Sequence, residues 1–279
     1  MRLECICGAT IALVLTLGAC SNGRGSLDDP ASAPVETPPD SPPSPSPPTP
    51  SPPPPPPQAA SIGYWIGELK PERGRNLGAR AFVTSAGDIH LIVSERRPAS
   101  SPPEFVVYGN VCCGTAVDAE LQSIRYLSST VDAARFRATV SNDVMSGEVG
   151  IRDADYEFTL SRSARPPNPL TPAELAGTYT ITRLVIIGVG TTYAITIDPS
   201  GELNGSQTNG CIYNGTAQIA EAAYHLVRFD VQVSNCPRVI GSGVANGNYS
   251  GLGVLENDGR TFLHSLVGPT WLGQQPVVR

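Results

Sequence analysis

Charged and titratable side chains are scarce in this sequence, and their scarcity excludes several kinds of active site. Lysine occurs only at Lys70, which excludes a Ser-x-x-Lys pair, and no Gly-x-Ser-x-Gly elbow is present. The three histidines, His90, His225 and His264, are never at metal-ligand spacing. We therefore predict no catalytic residue, no metal and no cofactor. An undetected hydrolase is the enzymatic alternative.

The chain also lacks a basic surface and long apolar runs. Its formal net charge is −6 at pH 7, whereas a nucleic-acid partner requires cationic side chains that neutralise phosphates. No stretch after the first 19 residues approaches the roughly 20 apolar residues of a membrane-spanning helix. Neither nucleic acid as a partner nor a spanning helix is expected.

The amino terminus has the pattern of an export signal. Residues 1–19 contain Arg2 and an apolar run from Ile11 to Leu17, and they end in small residues before Cys20. The tetrad Leu17-Gly18-Ala19-Cys20 resembles the lipobox of bacterial lipoproteins. This resemblance implies that Cys20 becomes the first mature residue, carries acyl chains and anchors the protein to a membrane. With serine at position 21, it further implies delivery to the outer membrane, facing the periplasm or the cell surface.

A proline-rich segment follows the lipidated cysteine. The segment covers residues 20–60, and its proline tract runs from Ala31 to Pro57, where proline alternates with serine, threonine and a few acidic residues and ends in six consecutive prolines, Pro52 to Pro57. Proline fixes φ and removes the backbone donor, so this segment is predicted to be a disordered, extended stalk. At about 3.1 Å per residue, the tract could reach roughly 80–90 Å. A spacer is favoured over a ligand for an SH3-like module.

Beyond residue 60 the pattern is typical of short strands. Phe136, Ala138 and Val140 alternate with polar residues, and such a period of two indicates a strand with one buried face. The predicted fold is all-β, with two antiparallel meander barrel-like domains at 61–165 and 171–279. The first domain shows eight candidate strands. The second shows seven clear ones, which leaves its closure open.

The two halves show an internal repeat. Gly63-Tyr64-Trp65 parallels Gly177-Thr178-Tyr179, and Ala86-Gly87-Asp88-Ile89 parallels Ser200-Gly201-Glu202-Leu203. A third match, an Arg-Phe strand ending in Val-Ser-Asn, occurs at 135–142 and at 228–235. Three landmarks in the same order indicate duplication. Between the halves, Thr171-Pro172-Ala173-Glu174 predicts one short capped helix.

These motifs carry a family resemblance. The region after residue 60, here called the body, begins with Gly63-Tyr64-Trp65-Ile66-Gly67. A Gly-Cys-x-Tyr-x-Gly run occupies Gly210 to Gly215. The chain resembles a group of proteobacterial lipoproteins with these motifs. Its body plan is similar to the small barrels of transferrin-binding-protein-like surface lipoproteins. The resemblance rests on structural glycines and aromatics and implies no catalytic residue.

Four cysteines remain after export and lipidation: Cys112, Cys113, Cys211 and Cys236. An even number in an exported chain favours disulfides. Cys211 and Cys236 lie at strand ends within one repeat unit, so we predict a bridge between them. Free thiols, or bonds to Cys112 or Cys113, are the alternatives. The adjacent pair itself could form a vicinal disulfide, stay reduced or bridge to another chain.

One candidate ligand site follows from strand order. In an up-and-down meander alternate loops meet at the same end, and the long loops are 70–78, 95–104 and 127–133. Loops on a rigid barrel often carry binding residues, and arginine suits anionic groups. This end gathers five cations, Lys70, Arg73, Arg75, Arg96 and Arg97, as a possible ligand mouth. A solvated rim paired with neighbouring glutamates is the alternative.

The sequence therefore predicts a lipid-anchored cell-envelope protein with a non-catalytic binding or interaction role. Its expected partners are the membrane, through the lipid, and an unknown protein or small molecule. A lipocalin-like carrier of an apolar ligand and a structural envelope spacer are the alternatives. A carrier requires an unfilled apolar cavity, whereas a protein binder requires an exposed aromatic or arginine patch.

Overall fold

The protein is seen in a computed structural model that describes residues 60–95, 103–111, 114–125, 128–184, 190–237, 245–273 and 277–279. The predicted signal, Cys20 and nearly all of the stalk lie outside these residues. So do two pairs for which the sequence left questions open, Cys112 with Cys113 and Arg96 with Arg97.

Eight strands form a closed barrel in the first half of the body, here called the first barrel. Each strand pairs antiparallel with the next, and the last pairs with the first. The strands are β1 (Gly63–Pro71), β2 (Leu77–Val83), β3 (Asp88–Glu95), β4 (Pro103–Asn110), β5 (Ala116–Arg125), β6 (Val131–Ser141), β7 (Val144–Ile151) and β8 (Ala154–Arg162).

The second half repeats this architecture as the second barrel. Its strands are β9 (Gly177–Leu184), β10 (Gly190–Ile197), β11 (Glu202–Gln207), β12 (Ile212–Glu221), β13 (Leu226–Ser234), β14 (Gly247–Leu255), β15 (Thr261–Val267), β16 (Trp271–Gly273) and β17 (Val277–Val278). Closure comes from the pairing of β14 with β15 and of β17 with both β15 and β9, while β16 extends from β15. The all-β, two-barrel prediction is confirmed. The second barrel closes because β17, with two residues too short to show a period, supplies the eighth strand.

Alternation along the strands fills the barrel interiors. In β6 the side chains of Ala134, Phe136, Ala138 and Val140 are buried, and they alternate with exposed or half-buried neighbours. Inside the first barrel the Phe136 ring of β6 stacks on the Phe158 ring of β8, with centroids 5.3 Å apart. Close-packed apolar side chains therefore occupy the interior of this barrel, as the period of two predicts.

The first two sequence landmarks occupy equivalent places in the barrels. Gly87 and Gly201 each close a tight turn with φ near +87°, in the region that favours glycine. In both turns the glycine amide donates to the carbonyl three residues earlier, at Thr84 and Asp198. The matching hydrogen bonds support the internal repeat at these positions.

An arginine latch closes each barrel where its first and last strands meet. Arg162 lies over the buried Trp65 ring at 4.2 Å and donates to the carbonyls of Ala60 and Ile62. Arg279 likewise donates to the carbonyls of Glu174 and Ala176, the corresponding positions of the second barrel. Each latch ties the last strand to the chain that enters the first.

The aromatic residue beside each latch completes the equivalence. Trp65 Nε1–H donates to the Ser61 carbonyl at 3.0 Å, and the Tyr179 hydroxyl donates to the Leu175 carbonyl at 2.7 Å. Each residue is fully buried and each acceptor lies four residues earlier. The Gly-x-aromatic motif therefore has the same structural role in both barrels.

The third repeat landmark was matched incorrectly. Residues 135–142 begin in β6, the sixth strand of the first barrel, whereas residues 228–235 begin in β13, the fifth strand of the second. Adjacent strands of a meander run in opposite directions, so the two segments cannot be equivalent. Alternating Arg-Phe-x-x-x-Val patterns recur by themselves wherever one strand face is buried.

The predicted helical turn is confirmed as α1 (Pro172–Leu175). Thr171 Oγ1 accepts from the Glu174 amide, and the Glu174 carboxylate accepts from the Thr171 amide, which forms a capping box. The Thr171 hydroxyl also donates to the Glu174 carboxylate, and the hydrogen bonds from the Thr171 hydroxyl and amide hold the pKa of Glu174 below its usual value. Leu175 is the buried residue of this turn and joins the core of the second barrel.

The predicted disulfide between Cys211 and Cys236 is present. Their Cα atoms lie 4.2 Å apart, and the bridge joins the segments that follow β11 and β13. Asn235 Nδ2 donates to the Gly210 carbonyl and Asn209 Oδ1 accepts from the Cys211 amide, so both segments are also held by hydrogen bonds. In the chain-entropy view, a loop of this size contributes about 3–4 kcal/mol.

A third hydrophobic core joins the two barrels, which belong to one compact unit, Pro54–Arg279. It is formed by side chains on the outer faces of both barrels. From the first barrel come Ile62, Tyr64, Phe82, Ile92, Val106 and Ile124, and from the second Tyr224, Leu226, Leu252, Val254, Leu263 and Val267. Where these residues lie on strands, the strand is therefore buried on both faces at that position.

Polar contacts surround this inter-barrel core. Arg228 of β13 forms an ion pair with Asp88 of β3, and the Ser85 amide donates to the Glu221 carboxylate at 2.6 Å. His90 Nδ1 lies 3.1 Å from Ser265 Oγ, with both residues buried. His90 is therefore a buried histidine that is paired with a neighbouring hydroxyl.

Candidate functional site

The predicted ligand mouth is present only in part within the described residues. Lys70, Arg73 and Arg75 are exposed and lie at the end of the first barrel where β1 and β3 finish. None of the ion pairs formed between described residues includes these three cations. Arg96 and Arg97 fall outside the described residues, so recognition of an anion by all five cations stays a prediction.

A groove between the barrels is the better-defined site, and sequence reasoning did not find it. We call it the inter-barrel groove; its volume is about 250 Å³. It lies beside the start of β1 and the β14–β15 turn, far along the barrel from the predicted mouth. Its lining residues are Tyr64, Ile66, Ser163, Ala164, Pro166, Tyr224, Val254, Leu255, Glu256, Asn257 and Asp258.

Tyr64 contributes an unsatisfied hydroxyl group to this groove. Its side chain is 6% exposed and its ring packs on Phe82, with centroids 5.4 Å apart, yet its buried oxygen has no hydrogen-bond partner. Burial raises the pKa of Tyr64 to about 12; the charge of Arg80 opposes this shift and that of Glu256 adds to it. A buried polar group without a partner costs free energy, and because this oxygen has almost no exposed surface it is closed to solvent as well as unpaired.

Glu256 also lines the groove, and its charge acts on the Tyr64 hydroxyl. It follows β14 directly, and its backbone forms the β14–β15 turn through hydrogen bonds with Thr261 and Gly259. Its carboxylate takes part in no hydrogen bond or ion pair among the described residues. The pKa of Glu256 is raised, mainly by partial burial. The charge of Arg80 opposes this shift, and that of Asp258 adds to it.

Asp258, by contrast, is committed to the turn. Its carboxylate accepts from the Arg260 and Thr261 amides and from the Thr261 hydroxyl at 2.6–2.8 Å. These bonds lower the pKa of Asp258 against the effect of its slight burial. The segment is therefore a hairpin turn, with Gly259 at φ +64°.

The opposite wall of the groove is aromatic and rigidly held. Tyr224, in the short 3-10 turn Ala222–Tyr224, receives hydrogen bonds on its hydroxyl from Arg162 at 3.4 Å and from Arg165. The Arg165 guanidinium also stacks on its ring at 4.6 Å. Unlike Tyr64, Tyr224 thus has a satisfied hydroxyl, and its ring forms a fixed apolar surface.

The sequence did contain a signal for this site. Tyr64 and Ile66 flank the buried Trp65 and therefore point outward from β1. Two large apolar groups on the outer face of one strand are unusual for a solvated barrel, and Ile66 remains 44% exposed. Continuous apolar runs in β3 and β4 likewise indicate strands buried on both faces.

The hydrogen bond between His90 and Ser265 resembles a nucleophile-base pair but lies in a closed environment. Ser265 has no exposed surface, His90 is 7% exposed, and both are buried between the barrels. Burial alone lowers the pKa of His90 to about 4. Because a substrate has no access to the Ser265 hydroxyl, we assign this pair a structural role.

A second polar cluster lies inside the second barrel. His264 is 9% exposed and its Nδ1 has no hydrogen-bond partner, and burial lowers the pKa of His264 to about 4. Its ring lies 6.4 Å from that of Tyr193, which packs edge-on against Tyr213. The Tyr213 hydroxyl donates to Gln207 at 2.9 Å. The interior of this barrel is therefore more polar than that of the first.

The described residues contain no cluster of three or more histidine, cysteine, aspartate or glutamate side chains placed to hold a metal ion. No helix in the same part of the chain is both long and apolar enough to cross a membrane. Comparison with models of protein families and with curated proteins found no match to this chain.

Proposed function

We propose that this protein is a lipid-anchored component of the cell envelope that binds a partner without catalysis. In this proposal the acyl chains on Cys20 hold it to the outer membrane and the proline-rich segment separates the body from the lipid. The inter-barrel groove receives the partner. The observation that carries the proposal is the combination in this groove of the exposed Ile66 side chain and the half-buried Glu256 carboxylate, which has no hydrogen-bond or ion-pair partner among the described residues.

The location of the groove supports this role. Ligand sites occur preferentially at interfaces between folding units, where two surfaces contribute different groups. Here β1 supplies Tyr64 and Ile66, and the β14–β15 turn supplies Glu256. The barrels are joined by a large apolar core, so the groups of the groove are held in place before a partner arrives.

A small-molecule carrier is the second candidate, and one observation favours it. The Tyr193, Tyr213 and His264 rings place polar atoms inside the second barrel, including the unpaired His264 Nδ1. In the first barrel, stacked apolar side chains such as Phe136 and Phe158 already occupy the interior. A carrier function would therefore belong to the second barrel alone.

The lipid anchor gives a direct prediction. Replacing Cys20 by alanine removes the thiol that the lipobox resemblance assigns to acylation, so the protein should leave the membrane fraction completely. The measurement is sedimentation of membranes after a sodium carbonate wash, followed by immunodetection. Cys112→Ala, in which the lipobox is intact, is the matched control and should sediment as the unaltered protein does. Continued sedimentation of the Cys20→Ala protein would exclude the anchor.

The binding role predicts a site-specific cross-link. A benzoylphenylalanine photocross-linker replacing Ile66 in native membranes should yield a discrete adduct, because this side chain opens onto the inter-barrel groove. Val131 is the matched control: it is equally exposed, at 44%, and lies on β6, which contributes nothing to the inter-barrel core. Adducts at both positions, or at neither, would contradict the groove as a binding site and would favour a spacer.

A further inference from the structure

The outer face of the second barrel carries a continuous row of uncharged polar side chains, here called the amide row. Direct cross-strand pairing orders its members, one from each of the strands β9 to β14: Thr178, Thr196, Asn204, Asn214, Gln232 and Asn248. All six side chains are exposed. The row therefore presents amides and hydroxyls to solvent across six neighbouring strands.

The members of the row differ in how far they are already hydrogen-bonded. The Thr178 and Thr196 hydroxyls pair with each other at 2.9 Å, and Asn204 Nδ2 donates to Glu202 at 3.0 Å. The side-chain amides on β12, β13 and β14 form no hydrogen bond with any described residue. These three are Asn214, Gln232 and Asn248.

The outer face of the first barrel has a different chemistry. There Arg137 of β6 pairs with Glu148 of β7 at 2.7 Å and lies 3.5 Å from Asp118 of β5. Arg135 lies 3.6 Å from the same Asp118. Charged side chains on that face thus interact with one another, whereas the three amides of the second barrel are available to a ligand.

An open trough lies along this part of the amide row, with a volume of about 580 Å³. Its polar lining comes from three neighbouring strands: Asn214, Asp230, Gln232, Asn248 and Ser250. Gly215 permits the strong curvature of the sheet at this point. A Cβ atom on Gly215 would lie 2.0 Å from the Asp230 carbonyl oxygen, so only glycine allows β12 and β13 to approach in this way.

The trough lies beyond the area that the first barrel covers. Along β14 the outward-facing residues change from Asn248 and Ser250 to Leu252 and Val254, and of these four only the two apolar residues belong to the inter-barrel core. The disulfide between Cys211 and Cys236 joins the chain at the same end of β12 and β13. The amides are therefore held in place before a ligand binds, which lowers the cost of binding.

The charges around the trough disfavour an anionic ligand. Its lining residues, all of them described, include no lysine or arginine. Arg228, two residues before Asp230 on β13, forms an ion pair with Asp88. Asp230 is exposed, and Glu202 lies on the same face, separated from Asp230 by Thr216 of β12. Both acidic groups would repel phosphates and carboxylates.

The free amides match the hydroxyl groups of a sugar. A side-chain amide offers two donors and an acceptor oxygen, and a hydroxyl likewise donates and accepts. The Asp230 carboxylate adds an acceptor for a strong, charge-assisted hydrogen bond. Neighbouring strands lie about 4.7–4.9 Å apart, close to the length of one pyranose unit in an extended glycan. A glycan laid across the strands therefore meets one amide for each sugar.

A peptide strand is a poorer match to the same surface. Peptides that add to a sheet require a strand edge with unpaired backbone groups. Here β12, β13 and β14 each pair with a strand on both sides. The trough offers a ligand side chains only, and most of them are neutral.

We propose that the outer face of the second barrel, over β11 to β14, binds an extended, uncharged polysaccharide. Asn214, Gln232 and Asn248 hydrogen-bond to successive sugars, and Asp230 accepts from a hydroxyl of the central one. This site is separate from the inter-barrel groove and does not depend on the partner proposed there.

The test uses the full-length protein in a zwitterionic detergent, because detergents with sugar head groups would compete. The ligands are cellohexaose, chitohexaose and a cellohexaose oxidised to carboxylates at C6. Saturation-transfer NMR should show binding of a neutral hexasaccharide with a Kd at least about tenfold lower than that of the carboxylated one. Equal binding of neutral and carboxylated sugars, or binding of neither neutral sugar, overturns the inference.

The length of the ligand provides a second measurement. Four amides stand in sequence on β11 to β14, so the affinity should rise from the disaccharide to the tetrasaccharide of the series that binds and then level off. A Kd that is the same for two, three and four sugars contradicts the arrangement of one sugar for each strand.

Variants of the protein locate the binding. Gln232→Leu removes the central amide at similar size and should weaken the neutral hexasaccharide about 3–10-fold, the range for losing one neutral hydrogen bond. Asn248→Leu repeats the test on the next strand, and the double variant should show no measurable binding. Gln122→Leu, the same substitution at an exposed site of β5, is the matched control and should change nothing. An unchanged Kd in the double variant contradicts the inference.

Further outcomes separate this inference from the proposed function. Saturating neutral hexasaccharide should leave the cross-link at position 66 unchanged, because the two sites are distinct. Loss of that adduct would place the sugar in the inter-barrel groove and overturn the inference. If the sugar binds while no cross-link forms at position 66, the proposed partner of the groove is wrong and the polysaccharide site stands.

Discussion

Acidification from pH 7 to pH 4.5 is expected to lower the free energy of unfolding by about 2 kcal/mol for each buried histidine, or roughly 4–5 kcal/mol in total. His90 and His264 have pKa values lowered by burial from 6.5 to about 4. The unfolded chain therefore takes up protons below pH 6.5 that the folded protein binds only near pH 4. The stability that these groups contribute is complete above pH 6.5 and is lost as the pH falls.

Other titrating groups act weakly or in the opposite sense in this window. The pKa values of Glu174, Asp198 and Asp258 are lowered, so their contributions are lost mainly below about pH 4. The raised pKa of Glu256 favours the folded protein as the pH falls. The predicted loss between pH 6.5 and 4.5 is thus attributable to the two buried imidazoles.

Urea unfolding followed by circular dichroism at pH 7 and pH 4.5 checks this prediction. In the double variant His90→Gln, His264→Gln, most of the difference in the free energy of unfolding between pH 7 and pH 4.5 should disappear. The stability of this variant at pH 7 is compared separately. His225 is left unchanged in every protein that is compared. A double variant whose stability falls as steeply as that of the unaltered protein would show that the buried histidines are not the cause.

Truncation of Trp65 to alanine should destabilise the protein by about 3–5 kcal/mol. The indole is fully buried, donates to the Ser61 carbonyl and supports the Arg162 guanidinium that latches β8 to the start of β1. Its removal leaves a cavity in the first barrel and a guanidinium with no surface to pack on. The Arg162 bonds to the Ala60 and Ile62 carbonyls should weaken in consequence.

The matched control for this variant is a substitution of the next residue. Ile66→Ala removes an outward-facing side chain that is 44% exposed and should cost less than about 1 kcal/mol. Trp65→Phe keeps a ring under Arg162 and loses the indole donor. Its loss of stability should therefore lie between those of Trp65→Ala and Ile66→Ala. Urea unfolding monitored by circular dichroism avoids dependence on tryptophan fluorescence. A loss below 1 kcal/mol for Trp65→Ala would contradict the latch.

Local sequence determined the strands, the turns and the short helix of this protein. Alternating burial specified β6, the glycine turns specified the connections at Gly87 and Gly201, and the capping box specified α1. Each of these depends on interactions within a few residues or on a period of two, which the chain itself displays. The disulfide could also be predicted, because both cysteines lie at strand ends of one repeat unit.

Only the tertiary structure decided which outer faces are covered and where the groove lies. An apolar residue such as Phe82 or Leu252 on the outside of a strand does not specify the surface that buries it, since that surface comes from a distant part of the chain. Closure by the two-residue strand β17 depends on its pairing with β9 and β15, which no period in so short a segment can indicate. The groove, which Tyr64 and Glu256 both line, arises because the curved surfaces of the two barrels pack together incompletely. Such a gap depends on the packing of both barrels.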